Sequence, residues 1–254
     1  MIMRTGVENK PINVSQQKPV AFFDLDDTMY RGLIMEALVL DQIQEGLVFL
    51  GAVPAILESI QGYQSRQRGQ TSNVCELNSR WADGCKGINY NNLLSHAKKF
   101  VSRNKDNFHR YTEPVINLLK KKGFETWLST GEPDYVAQAV KEEYTLTGFC
   151  ATEWKRDKNS IITGGIRNPM TSKLKGEWAR ILLNPAFGCN NRISLAFVDS
   201  LNDQGLVEAA QVSIVCGQPA AEFDDYLKSC GKTYKIISPE QPEDVINFID
   251  TLTR

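Results

Sequence analysis

Asp24 and Asp26 stand two residues apart at the end of an apolar run, Val20-Ala-Phe-Phe23. The run shows no polar alternation, as expected for a strand covered on both faces. In an extended backbone residues i and i+2 point the same way, so both carboxylates face one spot and Leu25 faces the other. Two acids at the mouth of a buried strand repel each other unless a cation lies between them or one carries a proton. An acidic turn is the alternative, because Asp favours turns.

Matching residues recur downstream in order. Ser129 follows the apolar run 124–128 and precedes a helical stretch. Its hydroxyl, with the amides of Thr130 and Gly131, suits an anionic oxygen at a helix N-terminus, or it is a simple N-cap. Lys175 opens a helical stretch, with Lys173 as the alternative and a solvated surface lysine as the plain reading of either. Asp199 follows the apolar run 194–198, and Asp203 lies four residues on. Such hard oxygen ligands suit Mg²⁺, whereas a strand-to-helix turn capped by Asn202 would need none.

The elements that must position these residues alternate. After the first strand, residues 31–112 carry only helical spacing: Ile34 with Leu38, Ile56 with Ile60 and Tyr63, Val74 with Leu77 and Trp81, Leu94 with Ala97 and Val101. Thr71-Ser-Asn73 forms a capping cluster, and Asp83-Gly84 marks a break. From Glu113 onward strands and helices alternate, with strands predicted at 124–128, 194–198, 212–216 and 234–237. A small hairpin is predicted over 160–166, turning at Gly164-Gly165. The expected fold is α/β, a Rossmann-like doubly wound parallel sheet with an inserted all-helical cap. Its divisions are a polar tail over 1–18, a core over 19–30 and 113–254, and the cap over 31–112. In such sheets ligands sit beyond the carboxyl ends of the strands, so Asp24, Ser129 and Asp199 converge there despite their separation in the chain.

The string Asp24-Leu-Asp26-Asp-Thr28 resembles the first motif of the haloacid dehalogenase-like (HAD) hydrolases, Asp-x-Asp-x-Thr. The dehalogenases proper lack the second Asp, so Asp26 points to a phosphatase. Ser129 matches the family's second motif. Lys175-Gly-Glu is similar to the third as found in phosphoserine phosphatase-like members. Asp199 and Asp203 match the fourth, Asp-x-x-x-Asp. The resemblance runs from Phe22 to about Cys216, and Thr152-Glu-Trp and Thr163-Gly-Gly-Ile166 also look like the phosphoserine phosphatase-like subgroup.

What the resemblance implies is a Mg²⁺-dependent phosphatase acting on a small phosphorylated metabolite. Asp24 would be the nucleophile that becomes an aspartyl-phosphate, and Asp26 the general acid and base. Thr28 would hold Asp26 or its loop. Ser129, Thr130, Gly131 and Lys175 would bind phosphate. Mg²⁺ would take the Asp24 carboxylate, the Asp26 backbone carbonyl and the Asp199 carboxylate, with Asp203 acting through water or holding Lys175. A phosphotransferase or mutase, or a catalytically silent binding protein, would use the same scaffold. Within the cap, Arg31, Glu36, Arg80 and Trp81 are substrate-facing candidates, with surface charge or cap core as the alternatives. Phosphoserine phosphatases carry an acid shortly after the first motif that pairs with the substrate's amino group. Here that position is Leu33, a departure that sets this chain apart from them.

The composition narrows the partners. The 254 residues carry 29 basic and 30 acidic side chains, which favours neither nucleic acid nor an anionic membrane. Hydrophobic residues make up 42%, enough for a packed core, and no apolar run approaches a membrane span. The start of the chain lacks an apolar leader, so a cytoplasmic location is expected. The six cysteines form no Cys-x-x-Cys pair and read as reduced thiols.

Overall fold

In the computed structural model, which describes residues 18–65, 71–184 and 193–252, β1 (Val20–Phe23) lies in the middle of a seven-stranded sheet. Its side chains alternate between two apolar cores. Ala21 and Phe23 enter the larger, Val20 and Phe22 the smaller, and all four are buried. This two-sided burial is why the run shows no polar alternation. β2 (Glu125–Pro133) and β5 (Ser194–Val198) flank β1 in parallel. Beyond β2 lie β3 (Gly148–Arg156), parallel, and β4 (Ile162–Arg167), antiparallel. Beyond β5 lie β6 (Val212–Cys216) and β7 (Thr233–Ile237), both parallel. The order β4-β3-β2-β1-β5-β6-β7 makes β1 the strand at which winding changes direction. A crevice therefore opens beyond its carboxyl end.

Four helices follow β1: α1 (Ile34–Gln44), α2 (Val53–Ser65), α3 (Thr71–Gly84) and α4 (Tyr90–Arg103). α5 (Thr112–Lys121), α6 (Asp134–Glu143), α7 (Ser172–Leu183), α8 (Gln204–Ala209), α9 (Ala221–Ser229) and α10 (Pro242–Leu252) alternate with the remaining strands. α5, α6 and α10 bury apolar residues in the larger core, and α7, α8 and α9 in the smaller, so both faces of the sheet are covered. The four inserted helices have no core separate from the sheet's. α3 lies across β4 and α4 on α6, and one apolar cluster runs through all of them. Trp81 anchors it, edge-on to Trp154 at 5.2 Å and donating its indole N–H to Gln42 Oε1 at 2.9 Å.

Three details depart from the sequence pattern. β2 runs on through Ser129 to Pro133, because pairing with β3 continues past an irregularity between those two residues. The hairpin turns at 157–160, not at the glycines. Asp157 Oδ1 accepts the N–H groups of Asn159 and Ile161 at 2.8 and 2.9 Å, and Ser160 has a φ of 63°. Gly164 and Gly165 lie inside β4 with φ of 86° and 67°. A Cβ on Gly164 would sit 2.5 Å from Asp83 Oδ1, so glycine is needed where α3 crosses the strand. α3 ends at Gly84, so the expected break at Asp83-Gly84 falls at the end of the helix. The helix α9 had no marker in the apolar pattern.

Residues 1–17 of the tail expected over 1–18, Cys189, the Tyr63 side chain and the 71–73 capping side chains lie outside the described residues. The described cysteines are free thiols. Among the described residues no helix is long and apolar enough to cross a membrane.

Candidate active site

Strand register assembles the site. Phe23 pairs with Leu128 on one side and Phe197 on the other, so Asp24, Ser129 and Asp199 follow the paired positions at one sheet edge. The Asp24 N–H donates to Phe197 O at 3.0 Å. Leu25 then dives into the core, fully buried, and its carbonyl accepts the N–H groups of Met29 and Tyr30, both at 2.8 Å. This tight turn puts Asp27 at a φ of 52°, and its Oδ1 accepts the Gly32 N–H at 2.9 Å.

Asp24 and Asp26 meet different surroundings. Asp26 Oδ1 accepts the Ile34 N–H at 2.8 Å, the orphan donor at the start of α1 for which Leu33 offers no side-chain cap. Burial pushes Asp26 up to about 6, against the opposing hydrogen bonds from Ile34 and from the carboxyl of Glu132. Asp24 Oδ1 instead accepts from Lys175 Nζ at 2.6 Å. Burial and the neighbouring Asp203 push Asp24 up, and Lys175 pulls it back. Paired carboxyls with unlike environments can take unlike roles.

Lys175 is 4% exposed and also donates to Asp203 Oδ1 at 2.6 Å. Burial alone would lower its pKa. Asp203 and Asp24 outweigh that and hold the ammonium above its ordinary range. α7 positions it. Thr171 caps the helix, accepting the Leu174 N–H at 3.3 Å, and two glycines let α7 touch α8. A Cβ on Gly176 would lie 2.7 Å from Gly205 O, and one on Gly205 2.0 Å from Ser172 O. Backbone contact at this point brings Lys175 within reach of Asp203. Lys173, the alternative, is 85% exposed and lies 3.8 Å from Glu177.

Asp24, Asp199 and Asp203 each bring a carboxylate oxygen within 4.8 Å of the others'. Burial and the carboxylates of Asp203 and Asp24 push Asp199 well up, a repulsion that a cation would relieve. This all-oxygen donor set fits Mg²⁺. The Asp26 side chain is turned to Ile34 and Glu132, so only its backbone carbonyl is left to join such a set.

The second-motif residues sit differently from expectation. Ser129, Thr130 and Gly131 are in extended backbone within β2, and α6 begins only at Asp134, so they form no helix N-terminus. The Ser129 hydroxyl is buried and meets no partner among the described residues. Thr130 Oγ1 accepts the Glu132 N–H at 3.1 Å. Gly131 O accepts from Asn78 Nδ2 of α3 at 3.2 Å and from Thr152 Oγ1 at 2.7 Å, which ties the inserted helices to this strand. The Thr28 hydroxyl, expected to hold Asp26 or the loop, has no described partner. The loop is held instead by Tyr111 Oη, which donates to Thr28 O at 2.7 Å.

A cavity of about 50 Å³ lies over Asp24, Asp26, Lys175 and Asp199. None of the four cap candidates lines it. Arg31 turns outward to a two-pronged pair with Glu240, both contacts at 3.0 Å. Arg80 pairs with Glu58 and Glu76, Trp81 is core, and Glu36 is exposed. The inserted helices contribute Leu33, Met35, Val74 and Leu77 instead. Glu132, also in the lining, went unmarked in the sequence; its signal was an acid held between Gly131 and Pro133 just past a strand-like run.

The chain matches no protein-family model and no curated protein. Solved structures are similar. A Bordetella pertussis Tohama I protein of unknown function matches over 88% of this chain and 100% of its own, with a TM-score of 0.68 and 17% identity. A phospho-aspartyl intermediate analogue of phosphoserine phosphatase matches over 92% and 99%, with a TM-score of 0.61 and 16% identity. A HAD family hydrolase from Salmonella enterica serovar Typhi matches over 82% and 66%, with a TM-score of 0.58 and 18% identity. The fold is that of the HAD hydrolases, with phosphoserine phosphatases among the structures that share it.

Proposed function

We propose that this protein is a Mg²⁺-dependent phosphatase of small phosphomonoesters, working through an aspartyl-phosphate on Asp24. The observation that carries this reading is the buried Lys175 ammonium at 2.6 Å from both Asp24 and Asp203, with Asp26 turned the other way. A nucleophile and a proton donor thus stand side by side without sharing partners.

In the first step an Asp24 carboxylate oxygen attacks phosphorus. The bond to the ester oxygen breaks, and that oxygen leaves as an alcohol with the proton of Asp26. In the second step Asp26 takes a proton from water, whose oxygen attacks phosphorus and releases phosphate with Asp24 restored. Lys175 orients Asp24 and offsets charge on the phosphoryl oxygens. Bound by the carboxylates of Asp24 and Asp199 and the Asp26 carbonyl, Mg²⁺ would neutralise charge on the transferring group. Residues 31–112 act as a cap that closes over the substrate and excludes water, with Gly32, whose φ is 75°, at the first crossing.

The test is phosphate release from a phosphomonoester panel, with and without Mg²⁺, for wild type and Asp24→Asn. Mg²⁺-dependent release that falls by about 10⁴-fold or more in the variant is expected, with thermal unfolding still cooperative. Undiminished release would remove the covalent mechanism. Turnover raised by an added acceptor alcohol would move the reading to a phosphotransferase.

A further inference from the structure

The chemistry above leaves one buried acid unused. Glu132 is 1% exposed and lines the cavity together with Asp26. No N–H or O–H of the described residues reaches its Oε2. Buried acceptors are seldom left without a donor. Asp26 is the group that must touch the ester oxygen, so Glu132 stands beside the first carbons of the leaving alcohol.

Five apolar side chains share the lining with Glu132, namely Leu33 before α1, Met35 of α1, Val74 and Leu77 of α3 and Met170 before α7, and its uncharged polar members, among them Thr171, Ser172 and Ser200, bring no positive charge. Among the described residues Lys175 is the only cation in the lining, and it is engaged by Asp24 and Asp203. Of the described arginines, Arg31 pairs with Glu240, Arg80 with Glu58 and Glu76, and Arg156 with Asp134. Among the described residues a substrate carboxylate would therefore meet no open cation, and it would lie among like charges. An ammonium would meet an open acceptor. The cavity is compact, about 50 Å³, and is shared with the phosphoryl group, which favours a small alcohol.

Resting on the phosphatase reading, we infer that the substrate is the phosphomonoester of a small amino-alcohol without a carboxylate, and that Glu132 accepts a hydrogen bond from its ammonium group. Glu132 then determines specificity, as the acid missing at Leu33 does in the phosphoserine phosphatases, but from the sheet edge and not from the cap.

Three esters that differ by single groups test this: ethanolamine phosphate, propyl phosphate (methyl in place of ammonium) and phosphoserine (carboxylate added). Acetyl phosphate serves as a reactivity control. For wild type with Mg²⁺, kcat/KM for ethanolamine phosphate is expected about tenfold or more above the other two esters, the size of one charge-assisted hydrogen bond. Glu132→Gln is expected to bring ethanolamine phosphate to within about twofold of propyl phosphate, by lowering the first far more than the second. Phosphoserine turned over as well as ethanolamine phosphate would overturn the inference. So would an equal fall for every ester in Glu132→Gln, which would assign Glu132 to Asp26 alone. Should Glu132→Gln not fold, the wild-type ranking decides. No release from any compound, acetyl phosphate included, would overturn the phosphatase reading and this inference with it.

Discussion

The two walls of the cavity are built on different terms. The sheet-edge wall consists of charged groups that hold one another: Lys175 between Asp24 and Asp203, and Asp26 between the Ile34 N–H and Glu132. The helical wall is made of Leu33, Met35 and Leu77, whose first duty is packing, and of the half-buried Val74. Losing a group from the first wall strands a buried charge, which is strongly unfavourable. Losing one from the second leaves a void, whose cost depends on how far the neighbours relax. The first wall therefore tolerates little change. The second is free to vary with the substrate.

The largest effect that would sharpen this contrast, after loss of the nucleophile, is at Lys175. Lys175→Ala leaves Asp24 and Asp203 uncompensated and should lower stability by about 3–5 kcal/mol. Lys173→Ala should stay within about 0.5 kcal/mol, because that side chain is 85% exposed. Urea unfolding of both variants compares them, and equal effects would break the contrast. Next is Gly205→Ala. The added methyl meets Ser172 O at 2.0 Å, so α7 must shift. Stability should fall by about 1–3 kcal/mol, and turnover should fall with it as Lys175 moves. Unchanged turnover would detach the glycine contact from the site.

Val74→Ala tests the other wall. It should leave turnover of the smallest ester within about threefold and raise relative turnover of bulkier esters, since one apolar contact contributes about 1–3 kcal/mol to discrimination. A collapse of all turnover would show that the helical wall also carries chemistry. The smallest effect is expected at the surface where the insert meets the core. There Glu240 pairs with Arg31 and with His109 Nδ1 at 3.1 Å. Arg31 first, then His109, holds Glu240 below the usual carboxylate range. A depressed carboxyl adds stability that is present above its unfolded value and lost as pH falls through the folded one. Glu240→Gln should therefore lower stability by less than about 1 kcal/mol near neutral pH and flatten the acid side of the stability profile. An unchanged acid limb in thermal unfolding would dismiss this pair.

Much of the architecture was legible because it is local. Val20-Ala-Phe-Phe23 cannot be solvated on either face, and the spacing of Ile34 with Leu38, or of Val245 with Ile249, has only a helical solution. The hairpin turn was misplaced because Gly164-Gly165 is the common turn string. Here its glycines answer to Asp83 of α3, 2.5 Å from where a Cβ on Gly164 would stand. The cap candidates were chosen for charge, and charge at a surface finds partners in solvent's reach, as Arg31 and Arg80 did.

Residue type and chain order thus determined by themselves that carboxylates would end β1 and β5 and that a lysine would open α7. They also determined that strands and helices would alternate after an all-helical insert. Only the tertiary structure decided that Glu132 abuts Asp26, that Gly176 and Gly205 bring α7 onto α8, and that apolar side chains of α1 and α3 face the cavity. Periodicity carries information over a few residues along one element. Contacts between residues far apart in the chain depend on where separate backbones come to rest, and no local pattern encodes that.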